Sequence, residues 1–94
     1  MLREKTELAK VADDFVEIIK EIRRVDPEIG LAETVSLKEI SKLSAKEEAI
    51  LLFKLSAKLF NSVRSCAIKH TALYRFCLDI SLIRVRAQEI YSNQ

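Results

Sequence analysis

The chain has 94 residues, enough for one domain with a modest core. Apolar residues make up 49% and charged residues 32%, a balance that excludes a disordered chain. The 16 basic and 14 acidic residues are interspersed and leave a net charge of +2, too little for a strong field toward nucleic acid or anionic lipid.

No stretch approaches the roughly 20 apolar residues of a membrane span. The opening "MLREKTELAK" has charges but no apolar run of signal-peptide length, so the expected location is the cytoplasm. Gly30 and Pro27 are the only residues of their kinds, which is few for any fold rich in turns. The expectation is a single all-α domain over 1–94: a small bundle of about three long helices plus a short helical turn. Domains this small often draw part of their stability from a partner or from oligomerisation.

Residues 2–25 read as the first helix. Leu8, Val11, Ala12, Phe15, Ile18, Ile19, Ile22 and Val25 recur at three- and four-residue steps, which builds one apolar stripe. Glu7, Lys10, Asp14, Glu17, Lys20, Glu21 and Arg24 fall largely on the other side, with Lys10 and Asp14 spaced for a surface pair. "DPEIG" (26–30) ends this helix. "LAETVS" follows without clear periodicity, and Ser36 is placed to cap a short turn over 37–42.

Residues 43–69 form the second long helix. Ser44 and Glu47 have the spacing of a capping box, with Leu43 placed to staple onto the first turn. Ile50, Leu51, Leu52, Phe53, Leu55, Leu59, Phe60, Val63, Cys66 and Ala67 cover more than one face. A helix apolar over such an arc has neighbours on two sides.

Thr71 is placed to cap a third long helix that runs to about Tyr91. Leu73, Phe76, Ile80, Ile83, Ala87 and Ile90 share one face. Tyr74, Leu78, Leu82 and Val85 make a second, adjoining apolar face, with Arg75, Asp79 and Arg86 in a charged line between the two. Cys77, Ser81, Arg84 and Gln88 lie roughly opposite that line. Such a helix calls for packing on two sides, and one side is expected to meet another subunit.

The sequence offers little chemistry. It has no GxxxxGK[ST], no HExxH and no GxSxG, and its single glycine cannot build a phosphate-cradling loop. Cys66 and Cys77 are the only cysteines and His70 the only histidine, too few for a standard zinc site. The two cysteines are expected to be buried free thiols. No cofactor, metal or small-molecule substrate is implied, and the chain is expected to be non-catalytic. Arg23, Arg24, Lys20 and Lys54 could touch DNA, but balanced charge argues against a dedicated site.

One short constellation resembles a catalytic motif. Arg64 followed by His70 is similar to the R-x(4–6)-H signature of HEPN domains, helical modules that pair to cleave or bind RNA. On an unbroken helix, that spacing sets the two side chains about 120° apart, so a helix break near residue 70 would be needed to bring them together. The competing reading places His70 at a helix end, where a partly charged imidazole suits the C-terminal dipole.

A longer resemblance covers residues 43–85. "LSAKEEAILLFKLSAKLFNSVRSCAIKHTALYRFCLDISLIRV" resembles the C-terminal collar domain of bacterial DNA polymerase III clamp-loader subunits of the gamma/tau or delta-prime type. Leu43 and Ser44 stand at the helix start and Glu47 or Glu48 supplies the acid. Leu52, Leu55, Leu59 and Phe60 match the long helix. Arg75, Phe76, Leu78, Leu82, Ile83 and Arg84 match the closing helix, and Asp79 stands in place of a glutamate. Tyr74 stands where the family tends to have proline, and the connection lacks Pro and Gly.

The resemblance implies an oligomerisation module for DNA replication whose partners are other clamp-loader subunits or copies of itself. It implies that the chain is part of a longer protein, because ATPase modules precede the collar in that family. Tyr74, Leu78, Leu82 and Val85 are the expected interface patch, with Arg75, Asp79 and Arg84 as orienting charges. A generic helical adaptor and the RNA-acting reading are the alternatives.

Overall fold

A computed structural model of the chain describes residues 2–37, 43–67 and 71–92, and among these every regular element is helical. Helix α1 spans Leu2–Val25, as its periodicity predicts. Leu8, Val11, Ala12, Phe15, Ile19 and Ile22 are buried, while Ile18 and Val25 are half-buried at the stripe's margin. Each fully buried side chain of this size contributes about 1.5–3 kcal/mol.

The stop after α1 is built from the residues that signal it. The Asp26 N–H donates to the Ile22 carbonyl at 3.0 Å, completing the last turn. The Asp26 carboxylate then accepts the Glu28 N–H at 3.2 Å, an Asx turn that competes with further helix. Gly30 has φ +82°, a left-handed conformation that costs other residues about 1–2 kcal/mol. A Cβ at this position would also lie 2.9 Å from Ile19 Cγ2, so the turn presses directly on the face of α1.

Helix α2, Leu31–Leu37, starts from that glycine. The Gly30 carbonyl accepts both the Thr34 N–H at 3.0 Å and the Thr34 hydroxyl at 2.8 Å. Periodicity does not announce this helix, and Ser36 lies inside it rather than capping a later turn. The remainder of the turn expected over 37–42 lies outside the described residues.

Helix α3 spans Ala45–Ala67. Its start is the expected box in a slightly altered form. Ser44 Oγ accepts the Glu47 N–H at 3.2 Å, and the Ser44 hydroxyl donates to Glu47 Oε1 at 3.0 Å. Ala49, Leu52, Leu55, Leu59, Val63 and Ala67 are buried. Leu51, Phe53, Phe60 and Cys66 flank them, half-buried, which widens the apolar arc as the sequence suggests.

Thr71 does not cap an α-helix directly. It opens a 3-10 turn, Thr71–Leu73, and α4 follows at Tyr74–Ser92. The buried residues Leu73, Phe76, Ile80, Ile83, Ala87 and Ile90 alternate strictly between three- and four-residue steps. That is the spacing of a coiled-coil seam, which keeps one narrow stripe aimed at the neighbouring helices.

Helices α3 and α4 make the most extensive pairing, and α1 packs on α4 and, less extensively, on α3. The backbone fills a slab of 42 × 22 × 16 Å. One face of α4 stays open to solvent, with Tyr74, Leu78, Leu82 and Val85 exposed along it.

Candidate protein-interaction surface

The uncovered side of α4 carries the feature of interest. Tyr74, Leu78, Leu82 and Val85 are 55%, 68%, 51% and 48% exposed, a concentration of large apolar side chains in open solvent. At ~100° per residue they share an arc of ~80° on one face of the helix. Its centre lies ~170° from the centre of the buried stripe, so the two apolar faces stand opposite each other rather than adjoining.

The strip's edges are tied to the two neighbouring helices. On one edge, Arg86 Nη1 donates to Asp14 Oδ2 of α1 at 2.7 Å. Asp14 thus bonds across the bundle instead of pairing with Lys10 along its own helix. On the other edge, the Arg84 guanidinium sits 5.1 Å above the Phe53 ring of α3, a cation–π geometry. Burial of the opposite stripe sets the rotation of α4, and these contacts flank the strip it leaves pointing outward.

The remaining expected site residues fall around this strip. Arg75 is exposed, with its guanidinium 4.6 Å from the adjacent Phe76 ring. Asp79 is exposed on the same edge as Arg75 and Arg86. Glu89, which the sequence reading passes over, lies ~60° from Tyr74 on the helix wheel, in line with the strip and one turn beyond Val85. Arg75, Asp79 and Glu89 take part in no ion pair among the described residues.

The four apolar side chains expose on the order of 400 Å², comparable with the largest apolar patch on a typical monomer. Scattered exposed leucines need no explanation, but a continuous strip on one helix marks a contact surface.

The other candidates give less. Arg64 is exposed near the end of α3, and His70 lies outside the described residues. Cys66 and Cys77 are free thiols, and both are half-buried rather than fully enclosed. No group of three or more potential metal ligands occurs among the described residues. No helix there is long and apolar enough to cross a membrane. A shallow groove of about 340 Å³ runs between Ala49, Ile50 and Phe53 of α3 and Ala87, Gln88 and Tyr91 of α4. The Lys46 ammonium lies 5.6 Å from the ring of Tyr91, one of its lining residues. Its lining is almost wholly apolar and offers no arrangement of catalytic groups.

No protein-family model, curated protein or solved structure matches this chain.

Proposed function

We propose that this chain is a non-catalytic helical assembly module of the cytoplasm, acting through protein–protein contact at the outer face of α4. The observation that carries this reading is the strip Tyr74–Leu78–Leu82–Val85, about half-exposed or more at every position and opposite the core face of the same helix. Exposed apolar area of this kind is stabilised by removal from water, at about 25 cal/mol per Å². The natural occupant is another amphipathic helix, since regularly spaced knobs on one helix fit the holes of a second. The clamp-loader form of the proposal, with neighbouring collar subunits as partners and DNA replication as the setting, rests on the sequence resemblance over 43–85 alone.

The test is site-specific photocrosslinking of the full chain in its source cells. A photoreactive residue at position 78 should give a discrete protein adduct, and one at Asp13, exposed on α1, should not. Introducing Leu82→Glu should abolish the adduct while the far-UV circular dichroism stays helical. No adduct from position 78, or unfolding of the Leu82→Glu variant, would remove the strip from consideration. An adduct carrying another clamp-loader subunit would favour the collar form.

A further inference from the structure

We propose that the occupant of the strip is a second copy of this chain, bound through an antiparallel α4–α4 contact whose two-fold axis passes Leu82. This rests on the docking surface argued above and adds the partner and the register. The inference comes from the charges that border the strip. On one edge stand Arg75, Asp79 and Arg86, and Glu89 closes the far end. The opposite edge, formed by Cys77, Ser81, Arg84 and Gln88, holds no acid.

In an antiparallel pair, each edge meets the same edge of the other copy. With Leu82 facing Leu82, Leu78 of one copy meets Val85 of the other. The same register sets Arg75 opposite Glu89 and Asp79 beside Arg86, and symmetry repeats each pair. Arg86 is already bonded to Asp14. Its planar guanidinium has further N–H donors free to meet a second carboxylate. Arg75, Asp79 and Glu89, which take part in no ion pair among the described residues, all gain oppositely charged partners.

Other arrangements lose this match. Centring the contact between Asp79 and Ile80, the midpoint of the apolar strip, brings Arg75 of one copy against Arg86 of the other. A parallel pairing sets the Arg75 edge against the acid-free edge and brings Arg86 of one copy beside Arg84 of the other. Like charges in such positions oppose association.

Area points to a modest dimer. The two strips together offer at most roughly 800 Å² of apolar surface, with Tyr74 at each end beyond the partner's Val85, so even with the four bordering charged side chains of each copy the contact stays at or below the lower bound of about 1,200 Å² for specific interfaces. The dimer is therefore expected to dissociate on dilution, and the edge charges to decide its register.

Sedimentation equilibrium of the full chain over a wide concentration range tests this. Wild type should fit a monomer–dimer equilibrium. Arg75→Glu and Glu89→Arg should each weaken it by about tenfold, and the combined R75E/E89R chain should return to within about threefold of wild type. Circular dichroism of each variant keeps loss of fold separate from loss of pairing. A monomeric wild type at all concentrations overturns the inference, as does a dimer that the double reversal fails to restore. If the chain is monomeric but position 78 still crosslinks to a different protein, the docking surface stands and the second-copy assignment falls. If it is monomeric and crosslinks to nothing, both fall.

Discussion

Ile83 and Leu82 are neighbours in sequence but belong to different stripes of α4, the core stripe and the outer strip, which makes them a matched pair for testing which stripe is core. Ile83 is 2% exposed and Leu82 is 51% exposed. Truncating Ile83 to Ala removes apolar atoms from a packed seam and leaves a cavity, at a cost of about 2–5 kcal/mol. Truncating Leu82 to Ala gives up only the half of its side chain that is out of water and gains a little helix propensity, for a net cost below about 1 kcal/mol. A domain of this length has a total stability of roughly 5–14 kcal/mol, so the first change is a large share of it. With a urea slope of ~1–1.5 kcal/mol/M, Ile83→Ala should lower the unfolding midpoint by about 1.3–5 M and Leu82→Ala by less than about 1 M. The assay is urea unfolding followed by far-UV circular dichroism in dilute protein, where any dimer has dissociated. Equal midpoint losses would place Leu82 in the core and refute the assignment of the two faces. A loss at Leu82 that grows with protein concentration is instead what dimer linkage requires.

Gly30→Ala should cost more than about 1–2 kcal/mol, since it adds a Cβ contact with Ile19 to the left-handed strain, and thermal unfolding will read this as a drop of at least several degrees. Ser44→Ala should cost about 1 kcal/mol through loss of the box at the start of α3, with hydrogen exchange accelerated in that first turn only. The Asp14–Arg86 bond lies between side chains 56% and 41% exposed, so a double-mutant cycle should yield a coupling of no more than about 1 kcal/mol, smaller in high salt.

The three long helices were legible because burial imposes a period. The stripes of α1 and α4 can be read directly from steps of three and four, and Gly30 and Pro27 mark the end of α1. Helix α2 was not legible, because seven residues are too few to show a period and its start depends on Thr34 reaching back to Gly30. Thr71 carries the chemistry of an α-helix cap, yet the chain makes a 3-10 turn before α4 begins, a choice between two closely related hydrogen-bond patterns. The Asp14–Arg86 bond joins residues far apart in sequence, and reading along one helix finds Lys10 first. For the surface, the apolar strip was visible in the residue types. Its position opposite the core and the alignment of Glu89 with it follow from ~100° per residue along the helix, whereas the seating of Arg84 on Phe53 required the packed helices.

The unequal packing of the three long helices also sets an order of events in folding. Helices α3 and α4 are close in sequence and share the most extensive contact, whereas α1 reaches α4 only by closing a long loop. Local contacts cost less chain entropy to form, so the α3–α4 hairpin is the expected nucleus and α1 docks onto it afterwards. Weakening Leu59 or Ile80 should then slow folding, while weakening Phe15 should chiefly speed unfolding, a difference that chevron kinetics resolves. Before α1 docks, the part of the α4 seam that α1 will cover and the outer strip are exposed together, and for that interval the helix presents two sticky faces instead of one.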